Sequence, residues 1–439
     1  MAGRRTLLGI SVLVAFGSAT PAEAQVERNT SKITLAEAIQ RANQVQPSVV
    51  QAFGTVRNAQ ARLRSSAGAF LPSLTMGGNF SNSYSATPSR IDPVTQQVIN
   101  SSTNSSIGTS LSSNVDLFTG FRRGSERRAA GANRAAAEAS LDNARFTQQL
   151  TTTNAFFDVL AAEQLLIVRE AAVRRADEQL KVSIALLHAG RGIRPDSLRS
   201  LVNLGNAQLA LLTAQTDLAV AEANLGRLVG AEGPIGAVDD STLYGVLANV
   251  DAAAIRMEAL AQAPSVRAAE SQASASQASV KAAKAAYFPT LNLGASISFS
   301  GSKSSDFTFF QQRQLSLGFN WPLFNRFQRE QTITAAAVNA EVADANAAEA
   351  RRSVVSDVTA DLAALEAARL RIGITQTSVV AAQEDLRVRQ ERYRLGASTI
   401  VDVLTSQEAL DQAEVDAVNA RFDYVRARAA LSALLGRPL

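Results

Sequence analysis

The chain contains two copies of one large unit, because matching residues recur in the same order 206 positions apart. The clearest match is a glycine that interrupts two long proline-free runs and is followed by an aspartate. In the first copy these residues are Gly190 and Asp196, and in the second they are Gly396 and Asp402. Short structural repeats have periods of about 20–50 residues, so a period this long indicates two copies of one extended unit. Any fold for this chain must therefore build the same succession of elements twice.

The two copies differ in length at one place. Pro72 matches Pro289 at an offset of 217, whereas Leu117 matches Leu323 at an offset of 206. The first copy therefore holds 11 additional residues between these points. We expect them in an exposed loop at about 86–105, which is rich in Ser, Asn and Thr.

The first residues have the pattern of a secretory signal peptide. Two arginines precede an apolar run, and the small-residue sequence A-E-A stands before Gln25. The run is shorter than the roughly 20 residues of a transmembrane anchor, which is the alternative. We expect residues 1–24 to be removed, which leaves a first structural repeat at 25–230 and a second at 231–439.

The composition excludes several function classes. With no cysteine, the chain has no disulfides, thiolate metal site or cysteine nucleophile. A single histidine, His188, and the lack of a glycine-rich phosphate loop argue against an enzyme, a metal site or a bound cofactor. The net charge of +4 is spread along the chain, which indicates no nucleic-acid partner.

Each copy begins with a helical pattern, at about 34–69 and 251–286, in which apolar residues recur at steps of three and four. Pro47 and Pro264 occupy equivalent places inside these segments. Because proline removes a backbone donor and clashes with the preceding turn, we expect each helix to break there.

The longest predicted elements are helices at about 125–189 and 330–395, which contain no proline and are rich in Ala, Leu, Glu, Gln and Arg. About 65 residues at about 1.5 Å each form a rod roughly 100 Å long, over three times a bilayer core of about 30 Å. Shorter helices return at about 196–229 and 400–435. Two shorter helices end to end would line each rod, with the segment 230–250 at the middle.

Between the broken helix and the rod of each copy, the period changes to two, which predicts strand pairs at about 72–119 and 289–323. One face of these strands is polar, with Ser, Thr and Asn. The apolar face carries Leu74, Met76, Phe80, Tyr84, Ile107, Leu111, Val115 and Leu117 in the first copy, and Leu291, Leu293, Ala295, Ile297, Phe299, Leu315, Leu317, Phe319 and Trp321 in the second.

This alternation fits either a half-buried sheet of a soluble domain or a membrane barrel with its apolar face outward. The signal peptide, the strand length of about 10 residues and the aromatic residues near strand ends favour the barrel. Four strands cannot close a barrel, since about eight are needed. We therefore predict an α+β membrane protein that oligomerises.

Five motifs follow one another along the chain: LAEAIQRANQVQPSV, FLPSL, DLFTGFRRG, a glycine tip with a downstream aspartate, and RYRLGASTIVDVL. In this order they resemble the TolC family of outer-membrane efflux proteins over the whole mature chain. The resemblance implies a homotrimer whose twelve-stranded β-barrel, four strands per chain, lies in outer-membrane lipid. A long α-helical coiled-coil barrel is then expected to continue it across the periplasm.

The resemblance also implies the function of a channel-tunnel in a tripartite efflux or type I secretion system of a Gram-negative bacterium. Its partners would be a periplasmic adaptor protein and an inner-membrane pump. A periplasmic coiled-coil structural protein without a pore is the alternative. It explains the alanine-rich rods but leaves the four amphipathic strands without a role.

Three residues are assigned to the periplasmic entrance by this resemblance: Asp196, Tyr393 and Asp402. In the family, a tyrosine and an arginine of the second tip reach an aspartate of the first, but the arginine position is Ser398 here. Asp402 also follows Thr399 by three positions, which predicts a helix-capping box.

The resemblance further assigns the two helix tips to adaptor docking. Three chains with two tips each would present six similar turns to a six-fold partner. The predicted docking residues are Gly190, Arg191, Leu395, Gly396, Ala397 and Ser398.

Overall fold

The computed structural model describes residues 31–85, 90–91, 94, 98–99, 102–240, 244–245, 251–303 and 308–438. The predicted signal peptide, residues 1–24, lies outside this range, as does most of the predicted loop at 86–105 with the additional residues. Within the described residues, no helix combines the length and the apolar character needed to cross a membrane.

The described part of the chain is dominated by helices whose bounds lie within a few residues of those predicted. They are α1 (Leu35–Val45), α2 (Pro47–Gly68), α3 (Arg122–His188), α4 (Arg194–Val229), α5 (Ala252–Gln262), α6 (Pro264–Ala283), α7 (Gln328–Arg394) and α8 (Ile400–Leu435). Pro47 and Pro264 each open the second of two consecutive helices, where a missing N–H is tolerated. The predicted breaks are therefore confirmed. The rods α3 and α7 have 67 residues each, about 100 Å of helix.

The described strands form one four-stranded sheet and two short pairs. They are β1 (Lys32–Ile33), β2 (Ser73–Ser85), β3 (Arg90–Ile91), β4 (Val98–Ile99), β5 (Ser102–Phe118), β6 (Gly236–Ala237), β7 (Thr290–Lys303) and β8 (Thr308–Asn320). The sheet has the order β2-β5-β7-β8, and all neighbours are antiparallel. Its strands contain 13, 17, 14 and 13 residues, so they are longer than predicted, and β5 takes up residues 102–105 of the predicted loop.

The register of the sheet confirms the two predicted faces, with one correction. Met76 lies opposite Leu111, which lies opposite Ile297, so apolar residues of three strands share one face. Leu117 was predicted on this face, but the register shifts between Asp116 and Phe118. A bulge adds one residue to β5 there, and Phe118 instead lies opposite Leu291.

The shorter helices line the rods as predicted. Helices α1 and α2 pack along the N-terminal half of α3, and α4 returns along its C-terminal half. Helices α5 and α6 have the same relation to α7, with α8 as the returning helix. Because α3 also packs against α6 and α8, the two copies form one body.

The main core lies at the middle of both rods. Phe156 of α3 and Phe422 of α8 are fully buried there, and each full burial of such a side chain stabilises the fold by about 1.5–3 kcal/mol. The described residues after Gly230, 231–240 and 244–245, lie beside this core, as predicted, and the rest of the predicted segment 230–250 is outside the described residues. It contributes the strand β6, which pairs in parallel with β1 and was not predicted.

Candidate functional site

Both long helices reverse at a glycine. Gly190 and Gly396 have φ angles of 69° and 76°, a left-handed conformation that L side chains rarely adopt. The N–H of the following residue, Arg191 or Ala397, donates to the carbonyl five residues earlier at 2.9 or 2.8 Å. These are Schellman motifs. A Cβ at either glycine would meet no atom within 4 Å, so glycine serves the backbone angle here and not close packing.

Asp402 forms the predicted capping box with Thr399. Its Oδ2 accepts from the Thr399 N–H at 2.8 Å, and the Thr399 hydroxyl accepts from the Asp402 N–H at 3.3 Å. The hydroxyls of Thr399 and Ser398 donate to the same Oδ2 at 2.8 and 2.9 Å. The bonds from the backbone and side chain of Thr399, followed by that from Ser398, lower the pKa of Asp402 to about 2. The carboxylate is therefore charged at neutral pH.

The structure brings Asp196 and Tyr393 together. The Tyr393 hydroxyl donates to Asp196 Oδ2 at 3.4 Å, the long end of the hydrogen-bond range. The Tyr393 ring lies in a buried cluster with Ile400 and Val403, and this burial raises the pKa of its hydroxyl. The phenol is thus a neutral donor that links the first tip to the second.

Ser398, in the position of the family's arginine, bonds to Asp402 in its own tip. Two arginines of the tips, Arg191 and Arg394, have other partners. Arg191 donates to the Arg394 carbonyl oxygen at 3.3 Å, and Arg394 pairs with Glu391 at 3.1 Å. An arginine side chain, that of Arg191, therefore crosses between the tips beside Tyr393, but it meets a backbone carbonyl and not the Asp196 carboxylate.

The predicted docking residues form the exposed end of the molecule. Gly190, Arg191, Leu395, Gly396 and Ala397 are exposed, while Ser398 is half-buried because it reaches back toward Asp402. Small or uncharged residues dominate the second tip.

One polar cluster between the copies was not predicted. Arg175 of α3 binds Asp411 and Glu414 of α8 at 2.6 and 2.7 Å, and its carbonyl accepts from Gln407 at 3.4 Å. Burial alone would lower the pKa of Arg175, but the two carboxylates outweigh it and raise the pKa. The partners lie 236 and 239 positions from Arg175 along the chain, and no local pattern could have revealed them.

An antiparallel sheet with one apolar face, continued by rods of about 100 Å that end in glycine tips, is the architecture predicted above for a subunit of an outer-membrane channel with a helical tunnel. The chain matches the family described as outer membrane efflux protein over residues 38–231 and 255–437, and it therefore belongs to that family.

Individual proteins support this assignment. The chain is 26% identical over 332 residues to the outer membrane efflux protein BepC of Brucella suis, covering 74% of this chain and 71% of BepC. It is 26% identical over 403 residues to the pyoverdine export outer membrane protein OpmQ of Pseudomonas putida, covering 88% and 82%. The fold is similar to that of the outer membrane protein VceC of Vibrio cholerae, with a TM-score of 0.73, 20% identity and coverage of 92% and 96%.

Family membership sets the general function. The protein is an outer-membrane channel-tunnel of an efflux system, and members of this family are transport proteins and not enzymes. They work in tripartite systems, which include an adaptor and an inner-membrane pump. The channel function, and not the poreless coiled-coil alternative, is the one that this membership supports.

Proposed function

We propose that three copies of this chain close into one channel, with the apolar sheet face in outer-membrane lipid and the polar face toward the lumen. The observation that carries the proposal is the pair of free sheet edges. Among the described strands, β2 pairs only with β5, and β8 pairs only with β7. Three copies of four strands give twelve, and pairing each β8 with the β2 of the next copy leaves no edge.

The helical tips then form the periplasmic entrance. Three Asp402 carboxylates would face a narrow opening, and the bonds to Ser398 and Thr399 all use Oδ2, so they leave the second carboxylate oxygen unoccupied. Asp402 can therefore cap α8 and present negative charge to the lumen. The bond between Tyr393 and Asp196 joins the two tips of each copy at this entrance.

Six tips at the open end form a ring for a partner of six-fold symmetry. The adaptor would dock on Gly190, Arg191, Leu395, Gly396, Ala397 and Ser398, most of which are exposed. The small residues at the second tip allow a close approach of backbones. A substrate delivered by the pump would enter the tunnel through this ring.

Asp402→Ala is expected to lower the preference of the channel for cations over anions, because fixed carboxylates in a narrow pore attract cations. The measurement is the reversal potential in planar bilayers under a salt gradient. Asp402→Asn is the matched control, since its amide keeps an acceptor for the cap but removes the charge. If the asparagine variant selects cations as strongly as the unmodified channel, Asp402 is only a helix cap.

The pH dependence of this selectivity follows from the lowered pKa of Asp402. A carboxylate with a folded-state pKa of about 2 stays charged well below the range in which an ordinary aspartate is protonated. Cation preference should therefore persist to about pH 3 and fall only as the pH approaches the lowered value. A loss centred at or above the ordinary aspartate pKa of about 3.9 would mean that repulsion among the three carboxylates outweighs the hydrogen bonds of the caps. A cation preference that does not change between neutral pH and about pH 2 would contradict the assignment to Asp402.

A further inference from the structure

One charged residue lies within the apolar face of the sheet. Ile297 of β7 belongs to that face, and the residue opposite it on β8 is Arg313. Because alternate residues of a strand point to the same side, Arg313 shares the face with Leu315 and Leu317. The sequence analysis placed no charge there. An arginine near the middle of a lipid-facing strand costs about 2–4 kcal/mol, so a charge that is present at such a place points to a function.

The sheet itself does not require this arginine. At the offset of 206 its counterpart in the first copy is Ile107, which lies on the same face opposite Phe80. Arg313 is exposed on the edge strand, and among the described residues none forms a hydrogen bond or an ion pair with its guanidinium. Within the four described strands of the sheet, Asp116 is the one carboxylate, and it lies opposite Asn292 on the polar face. A partner for the charge must therefore come from outside the sheet.

Beside Arg313 the apolar face contains a trough of about 420 Å³. Its floor is formed by Ser113 and Ala295, which lie opposite each other, and Leu74 and Leu315 complete the same row on either side. Two small side chains between two large ones leave the trough open, and Arg313 contributes to its wall. An apolar trough with a cation at one end is complementary to a lipid, whose acyl chains lie beside an anionic headgroup.

The depth of Arg313 indicates which leaflet supplies that lipid. Strand β8 ends at Asn320 and leads to α7, on the periplasmic side of the proposed channel. Arg313 precedes Phe319 by six residues. At about 3.4 Å per residue and a tilt of about 40°, this places it roughly 15 Å above Phe319 in an apolar band of about 25 Å. Because arginine side chains extend toward the nearer interface, the guanidinium points to the outer leaflet.

We propose that Arg313 and the trough bind lipopolysaccharide, with the guanidinium on a phosphate of its lipid part and an acyl chain in the trough. The inference rests on the proposed function, in which the apolar sheet face contacts lipid. Lipopolysaccharide forms the outer leaflet of Gram-negative outer membranes, and its lipid part carries phosphates and several acyl chains. A guanidinium binds phosphate through paired, charge-assisted hydrogen bonds. Gln311, two positions outward on the same face, adds an amide donor.

The test is the affinity of the purified channel for lipopolysaccharide and for the same lipopolysaccharide without its phosphates, measured by titration in detergent solution. The variant is Arg313→Ile, because isoleucine occupies the matching position of the first copy and fits the fold. Hydrogen bonds to charged groups contribute about 1.5–3 kcal/mol, so we expect the unmodified channel to prefer the phosphorylated form by about tenfold or more. Arg313→Ile should lose this preference. Arg313→Lys, which keeps the charge without the planar fork, should retain part of it.

The matched control is Arg199→Ile, which removes the same charge from an exposed position of α4 near the helical tips and should leave the preference unchanged. If Arg313→Ile retains the full preference, the arginine does not bind the phosphate and the inference is overturned. Displacement of lipopolysaccharide by an equal concentration of phosphatidylglycerol would overturn the assignment to the outer leaflet. Weaker assembly of Arg313→Ile in detergent without added lipid would assign the arginine to a neighbouring copy and would equally overturn the inference.

The proposed function has a separate measurement. The chain has no cysteine, so Leu317→Cys on the same face can carry a single fluorophore. Lipids with nitroxide groups on their acyl chains should quench this fluorophore in vesicles if the apolar face contacts lipid. Quenching without a preference for phosphorylated lipopolysaccharide would overturn the present inference alone. A lack of quenching would overturn the proposed placement of the sheet in the membrane.

Discussion

Gly396→Trp is expected to abolish export while leaving the protein folded, inserted and assembled. A Cβ at this position points into open space, so the indole would project from the tip and hold the adaptor away from the ring. The left-handed angle costs an L residue about 1–2 kcal/mol, a local strain small against the stability of a large assembly. Efflux in cells and cross-linking to the adaptor are the measurements, with the yield of assembled protein from the outer membrane as the check on folding.

Gly396→Asn is the matched control for this substitution. Asparagine tolerates the left-handed angle better than most residues and is much smaller than tryptophan, so it should retain most export. If the tryptophan variant exports normally and cross-links to the adaptor as before, the tips are helix ends with no docking role. If both variants lose assembly, the glycine acts through the turn alone.

Leu111→Arg should destabilise the assembled channel by about 2–4 kcal/mol, the cost of a cation near the middle of a lipid-facing strand. Leu111 lies near the centre of β5, on the apolar face opposite Met76 and Ile297. Resistance of the assembly to heat or denaturant in lipid is the measurement. The control is Ser110→Arg, one position earlier on the polar face, where water would solvate the charge. Equal costs for the two substitutions would contradict the assignment of the faces.

The helices could be predicted closely because their signals are local. Proline marks the breaks at Pro47 and Pro264, and glycine marks the reversals at Gly190 and Gly396. Between these points the composition favours helix without interruption, so the bounds had little freedom. Because the chain is duplicated, each helix could also be predicted from two separate sequence segments.

The features that the sequence analysis did not predict depend on residues far apart in the chain or on unusual backbone conformations. Strand β6 forms only because Gly236 and Ala237 meet β1, some 200 positions earlier. The bulge at the end of β5 shifts the strand register by one residue. The alternation of polar and apolar residues does not determine the register to that precision. The left-handed Phe121 and Phe327 run against the preference of their residue type, so no propensity argument would have placed them there.

In the candidate site, too, contacts between sequence neighbours could be predicted and contacts between distant residues could not. The capping box of Thr399 and Asp402 is visible in the sequence because its two residues lie three positions apart. The approach of Tyr393 to Asp196 was implied only by the family resemblance, since it joins the two copies. The bond from Ser398 to Asp402 and the ion cluster of Arg175 were found only in the structure.

The central claim, that this chain is one third of a closed channel, can be tested by disulfide cross-linking between sheet edges. The chain has no cysteine, so introduced cysteines meet no background. Thr75→Cys on β2 would be combined in turn with Gln312→Cys, Gln314→Cys or Ser316→Cys on β8. Within one chain these strands lie three strand spacings apart, about 14 Å, which is beyond the roughly 7 Å between Cα atoms that a disulfide can span.

Any disulfide that forms must therefore join two copies. We predict that at least one pair gives a ladder of one, two and three chains on denaturing gels, ending at a closed trimer. Monomers alone at every tested pair, or a ladder that continues past three, would contradict the closed trimeric channel.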